Sequence, residues 1–441
     1  VTSYGYPDGG VFGPDSEVER DITDAALHPD SDAMIARLVA HDLTPYYEGI
    51  AAFNAHRYTT PVYVVGPETP PQTVGFIDFQ GKQYLPSQLY DGAHFLGWRI
   101  PEEATPAPGT DAQMTIVEHD TDGRVVIREG WRMRRDATVA PDAKDQRGKP
   151  LRGLTAAEVD AGGRALTPHT TYPGWTAVWG GTVDVATSRG WFPDGTGSSA
   201  SGLVTSAFSV SVAEVLAGQI KHAVSICLLS PRRWDVVSWP AQRSDGGDTD
   251  PLAIAEGQRL RLDPAVDVDA LGLHPIAAMI AKAAQRFGFI VTDRAGCVTV
   301  NAEGDDAHKA AHGVNRWDAL RAGTPDYLIM RGFPWHRMQV LPLHYGKTAE
   351  LTPTVTTTPV EDIVARILGP ADVLQLDDQD GRRVNLTVRS HDGVPVLVLA
   401  YDEEDPGQLL PGALVGELGE DAVAAVIRNG AGHVVTVAGG R

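Results

Sequence analysis

Glycine and proline interrupt this chain so often that long regular helices are excluded from most of it. There are 47 Gly and 31 Pro in 441 residues, too many for a helical bundle and suited to short strands joined by turns. The apolar runs agree. Between residues 60 and 135, TPVYVVG, TVGFIDF, AQMTIVEHD and RVVIREGWRMR are short, β-branched or aromatic, and bounded by turn residues. Asp122-Gly123 between two such runs predicts a hairpin.

Elsewhere the pattern divides the chain further. Residues 1–30 predict an extended arm of Gly, Pro and Asp with scattered apolar anchors, which gains order only on another surface. Ser31 is placed to cap a short helix carrying Met34, Ile35, Leu38 and Val39 on one face. Residues 136–171 are polar and suit an insertion loop. SAFSVSVAEVL, HAVSICLLS and WDVVSWPA are strand-like in part. Ile276, Met279, Ile280, Ala283 and Phe287 share a helical face, with Gly288 at the place of a left-handed cap. FGFIVTD and GCVTVNAE predict a hairpin around Arg294-Ala295-Gly296.

Composition changes near residue 347. Every Trp and Phe precedes it, while Tyr401 is the lone aromatic after it and Lys is absent there. ELTPTVTTTPVED is an extended Thr/Pro linker. VEDIVARILG then predicts a short helix, and VNLTVRSHDGVPVLVLAY and AVAAVIRNGAGHVVTVA predict strand pairs around Asp392-Gly393 and Asn429-Gly430. The expected domains are an arm over 1–30, a main β domain over 31–347, a linker over 348–360 and a small β-rich domain over 361–441.

The formal net charge of -20 argues against nucleic-acid binding, which needs cations to neutralise phosphates, and against docking on an anionic membrane. A neutral polysaccharide remains allowed. No stretch has the apolar length of a membrane span. The opening VTSYGYPDGG has neither a basic nor an apolar signal region, so the expectation is assembly in the cytoplasm and export by another route. Cys227 and Cys297 lie in apolar strand-like runs, as buried thiols do; spacing alone leaves a disulfide between them open. Neither a zinc spacing nor any other metal or cofactor motif is found.

The run Tyr172–Leu203 sets Trp175, Trp179 and Trp191 among Gly, Ser, Thr and Asp without a helical or strand period. Such aromatics either grip a sugar or plug the end of a β domain. Nearby polar groups offer four candidate clusters. In REGWRMRR, alternation puts Glu129, Trp131 and Met133 on one face and Arg128, Arg132 and Arg134 on the other, as in a groove or a charged edge strand. His222 opens the apolar run HAVSICLL, as a core histidine or a general base. SWPAQRSDGGDTDP joins Trp239 to Arg243, Asp245 and Asp248, which suits ring stacking beside hydrogen bonds to hydroxyls, or a polar turn. Calcium is disfavoured there, since the twelve-residue EF-hand order and its closing Glu are missing. RGFPWHRMQVLPLHYG gathers Phe333, Trp335, His336, Arg337 and His344, which also suits a tail folded back on the body. Glu118, Asp120 and Glu129 are neighbouring carboxylates in the strand region, but glycoside hydrolysis needs a defined separation in space. Gly195-Thr196-Gly197 lacks a following Lys-Ser/Thr, and neither GxSxG nor HExxH occurs.

Taken in order, YTTPVYVVGPETP, EGWRMRR, GWTAVWGG, SSASGLVTSAFSV, IKHAVSICL, SWPAQRSDGGDTDP, AAQRFGFIVTDRAG and RGFPWHRMQVL resemble a family of actinobacterial secreted proteins and actinobacteriophage minor tail proteins. The resemblance spans roughly residues 30–345. It implies a mainly β fold, with a jelly-roll-like β-sandwich as main domain, a few short helices and no established catalytic residues. It also implies a virion component at the tail tip or fibre, homo-oligomeric, in contact with other tail proteins and binding host cell-wall polysaccharide during adsorption. Membrane insertion is not expected.

On this expectation Trp175, Trp179, Trp239, Arg243 and Asp245 contact the glycan, with Arg132 and His222 as further polar contacts. The alternatives are a glycoside hydrolase or polysaccharide lyase using Glu129, Arg132 and His222, and a purely structural virion subunit.

Overall fold

The computed structural model describes residues 3–347, apart from 8, 9, 14 and 46, and five strands beyond them. The chain divides into two compact units, Val1–Lys347 and Thr348–Arg441. The first is built on three sheets. One six-stranded sheet runs β1 (Ser3–Tyr4), β3 (Thr60–Val65), β5 (Met114–His119), β6 (Val125–Trp131), β10 (Trp179–Asp184), with β15 (Glu303–Gly304) also paired to β3. The other runs β16 (Met338–Val340), β12 (Arg259–Leu262), β13 (Phe289–Arg294), β11 (Val224–Leu228), β14 (Thr299–Asn301), β2 (Ala52–Asn54). A four-stranded sheet runs β7 (Arg134–Thr138), β9 (Thr171–Ala177), β4 (Gly75–Ile77), β8 (Gly153–Leu154).

Strands therefore dominate, with a few short helices between them. All three sheets mix orientations: β3–β5, β11–β13, β14–β2 and β4–β9 are parallel pairs. A jelly roll pairs its strands antiparallel, so this order differs from the expected sandwich.

Where propensity and turn chemistry agree, the elements fall as expected. β5 and β6 form the hairpin over Asp122-Gly123, with Gly123 at φ 86. The helix Pro275–Arg286 ends two residues before Gly288, which sits at φ 79 beyond the Phe287 cap. Pro275 starts it, and His274 accepts the Ile276 N–H as N-cap.

Tertiary context overrides the pattern in other places. β13 and β14 are not a hairpin, because β11 lies between them, parallel to β13 and antiparallel to β14. All five β11 residues are buried, and the backbone N–H and C=O groups of a buried strand need a hydrogen-bonding neighbour on each edge. Ser31 is the first residue of its helix rather than the cap; its hydroxyl accepts the Val340 N–H at 2.9 Å. SAFSVSVAEVL forms helices Thr205–Phe208 and Val212–Ala217, the second held by a Ser211–Glu214 capping box. Residues 136–171 hold β8, a helix Ala156–Asp160 and the end of β7 rather than one loop.

The Trp-rich run is also strand at first: β9 and β10 meet at Val178, where the chain passes from the four-stranded sheet to the first. Strand alternation fails at Arg132, whose φ of 54 separates β6 from β7. Arg128, Arg132 and Arg134 thus share no face, and Arg128 instead pairs with Glu118 at 2.6 Å.

The N-terminal arm lies on the body of its own unit. Ser3 pairs with Val64, Val18 O accepts from Ala223 N, and Ile22 N donates to Arg286 O. Its anchors Tyr6, Phe12, Val18 and Ile22 are buried, so the surface that orders the arm is supplied by its own unit. In the second unit β17 (Leu374–Asp377), β18 (Arg383–His391) and β19 (Val394–Tyr401) form one antiparallel sheet, and β20 (Ala424–Arg428) pairs with β21 (Val434–Ala438). The expected linker, the VEDIVARILG helix and the turn residues of this unit lie outside the described residues.

Candidate functional site

A cavity of about 310 Å3 opens between the two large sheets. β6 and β10 contribute Trp131 and Trp179 to its wall, and β11, β13 and β14 contribute Cys227, Asp293 and Asn301. Loops close the rest: Tyr58, Asp111 and Gln113 on one side, Ser198–Ala200 and Arg243–Asp245 on the other. Its volume lies at the low end of small-ligand sites, about 300–1,000 Å3.

Three of the five expected contact residues reach this cavity. Trp179, Arg243 and Asp245 line it, whereas Trp175 and Trp239 do not. Trp175 is 3 % exposed, inside the core with Phe95, Trp98 and Met133. Trp239 is buried edge-on against Trp191, ring centroids 4.5 Å apart. Trp179 has little free face. Lys82 Nζ lies 3.9 Å from its ring centroid and the Arg243 guanidinium carbon 4.9 Å from it. Burial, aided by Arg243, pushes the Lys82 ammonium down to about 8.

The candidates for chemistry are placed elsewhere. His222 is buried, with Nε2 3.1 Å from Glu214 and Nδ1 2.8 Å from the Ala223 carbonyl. Burial opposes its charge, but Glu214 holds its pKa above the usual value, so it is one half of a buried ion pair. It lines a separate cavity of about 100 Å3 under the arm, beside Tyr6 and Glu19. Glu129 is sealed beneath the floor of the large cavity. Its oxygens accept from Ser198 Oγ, Thr205 N, Ser206 N and Ser206 Oγ at 2.9–3.2 Å. Burial raises its pKa against those hydrogen bonds. Arg132 lies over Phe79 at 3.8 Å and Trp131 at 4.8 Å, bracing the cavity wall from behind.

The remaining clusters are structural. Asp248 and Asp250 both pair with Arg37, which uses up the acidic turn weighed for calcium. Among the described residues no group of three or more His, Cys, Asp or Glu is arranged to hold a metal. Phe333 and Trp335 pack on Phe289, Arg337 pairs with Asp263, and His344 Nδ1 accepts the Trp239 N–H. His336 does not line the cavity. Glu118 accepts from Arg99 N and Arg128 Nε. Cys227 and Cys297 are both free thiols, and burial pushes Cys227 up to about 12, far from a nucleophile.

Sequence patterns missed much of what fills the cavity. Tyr58, 47 % exposed and at φ 53, stands at the cavity and was not singled out, whereas half-buried Trp131, weighed for a groove face with Glu129, does line it, its indole N–H donating to Asp111 at 3.1 Å. A tyrosine held at positive φ is strained, and such strain gathers at functional sites. Asp293 was also missed, since it closes an apolar strand run, IVTD, and looks like a turn residue. Its oxygens accept from Ala200 N at 2.9 Å and Arg294 N at 2.8 Å. Burial first, and then the Asp245 carboxylate, push Asp293 up to about 7. Behind it Glu256 is fully buried against Asp245, and burial first, then the Asp293 and Asp245 carboxyls, raise it well above the usual range.

Several wall atoms have no partner in the protein. Trp179 Nε1, Thr205 Oγ1 and Asn301 Oδ1 are buried and unpaired, on residues that line the cavity. Buried polar groups normally find partners, so this wall suits a ligand with many hydroxyl or amide groups.

Fold and site together define a strand-rich protein with a polar, aromatic-edged cleft between two mixed sheets. No protein family, curated protein or solved structure matches the chain. Among the described residues no helix is long and apolar enough to cross a membrane.

Proposed function

We propose that the protein is a phage minor tail protein whose cleft binds host cell-wall glycan during adsorption. One observation carries the glycan part: a cavity of about 310 Å3 that combines two accessible aromatics, Tyr58 and Trp131, with carboxyls, a guanidinium and unpaired polar atoms. Sugars need both parts, since their C–H faces lie on rings and their hydroxyls require donors and acceptors. The stacking role passes from Trp175, Trp179 and Trp239 to Tyr58 and Trp131. Arg243 and Asp245 keep the polar role. The virion assignment rests on the sequence resemblance, and the jelly-roll frame it implied is not needed for the cleft to bind.

The test is binding of the purified chain to delipidated, protease-treated actinobacterial cell walls. Tyr58→Ala and Trp131→Ala should each weaken binding about tenfold, the equivalent of one stacking contact of about 1.4 kcal/mol. Trp234→Ala, at an exposed tryptophan outside the cavity, should leave it unchanged. Equal binding by all three variants would rule out this cleft. Competition by the purified chain against phage adsorption tests the tail role.

A further inference from the structure

We propose that the cleft also cleaves the glycan it binds, as a glycoside hydrolase with Asp293 as general acid and Asp245 as general base. This rests on the glycan reading above. The placement carries it: both carboxyls line the same cavity, beside Arg243 and the unpaired Trp179, Thr205 and Asn301 atoms. Asp293 is fixed at the end of β13 by two backbone N–H donors, while Asp245 is exposed to water on its loop. Glycosidases need that asymmetry, one carboxyl kept protonated and one carboxylate in reach of water.

In the step, the Asp293 carboxyl gives its proton to the glycosidic oxygen. The bond from the anomeric carbon to that oxygen breaks, and its electron pair stays with the departing sugar. A water oxygen bonds to the anomeric carbon as Asp245 takes the water's proton. Asp245 then releases this proton to solvent and Asp293 regains one, so the net reaction is glycoside plus water giving two sugars.

The groups facing Asp293 favour this division. Asp245 disfavours its charge, Glu256 is a second acidic neighbour, and Arg243 and Arg294 are the nearby cations. Burial and the Asp245 carboxylate push Asp293 up to about 7, which favours its protonated form at mildly acidic pH. Glu129 and His222, the groups weighed for chemistry from the sequence, are engaged by protein partners: Glu129 lies beneath the cavity floor on Ser198 and Ser206, and His222 lines the separate small cavity.

The experiment incubates wild type, Asp293→Asn and Asp245→Asn with delipidated, protease-treated actinobacterial cell walls and measures both binding and release of reducing ends. Wild type should release them, with a rate that falls as pH rises through about 7. Asp293→Asn should still bind but lose about a thousandfold in release, a typical share for acid–base catalysis, whereas Asp245→Asn, which also removes a glycan contact, should bind more weakly and lose release by a similar factor when compared at equal amounts of bound chain. Thermal melts check that both variants fold. Binding without release by the wild type overturns the hydrolase and leaves the glycan reading standing. Neither binding nor release overturns both. Full release by either variant, or a pH limb that survives in Asp293→Asn, overturns the assigned roles.

Discussion

Asp293 shows how one residue can be poor for stability and still suit a site. Its pKa is raised from an ordinary 3.8 to about 7, so the folded protein binds its proton more tightly than the unfolded chain does. The stabilisation from that proton is complete below about 3.8 and is lost as pH rises toward 7. Asp293→Asn should therefore melt higher than wild type at pH 8, and the gap should close on titrating down to pH 4. Melting temperatures of the two proteins across that range decide it; a constant gap would mean that Asp293 carries no buried charge. Charge and burial at this position were not legible in the sequence, because IVTD is what a strand running into a turn looks like. Trp175 misleads in the opposite way: its Gly and Thr neighbours suggest a loop, yet β9 buries it. The aromatic types were visible, but their exposure depends on which sheet lies over them.

At the scale of elements, local chemistry was readable wherever it acted alone. The Asp122-Gly123 hairpin and the Gly288 stop need only a few adjacent residues. β11 was visible as a strand, but its insertion between β13 and β14 depends on residues more than sixty positions away. Two helix-ending glycines give a direct comparison. Gly218 and Gly288 both have φ near 80, at 76 and 79. A Cβ at Gly218 meets nothing within 4 Å, whereas at Gly288 it would lie 2.5 Å from the Leu260 carbonyl oxygen and from Ile22 Cδ1. Gly218→Ala should cost only the left-handed backbone penalty, about 1–2 kcal/mol. Gly288→Ala should cost clearly more, since β12 and the arm must both move. Urea denaturation of the two variants measures the difference, and equal losses would mean that the arm contact yields freely.

For the whole molecule, the aromatic break near residue 347 coincides with the division into two compact units. The extended character of the first thirty residues was also legible, but their attachment was not. Glu17 and Arg259, both almost fully buried, form an ion pair between the arm and β12, and Arg259 also donates to the Glu17 carbonyl. Deleting residues 1–22 would remove the Glu17 partner of Arg259 together with the buried Tyr6, Phe12, Val18 and Ile22 side chains, a loss of at least about 3–5 kcal/mol, the size of one broken buried pair. Denaturant melts of the full and shortened chains should show a loss of that order. A shortened chain of unchanged stability would reduce the arm to a loose appendage.

That attachment also sets the order in which the protein can be finished. Tyr6 N–H is bound by Glu303, 297 residues later, and the Ser31 hydroxyl by Val340, 309 residues later. A ribosome adding about 5–20 residues per second needs roughly 15–60 s to cover that distance. For that interval the residues of the arm have no place to go, and their apolar side chains stay open to chaperones and to other nascent chains. The first unit can close only when almost all of it has left the ribosome.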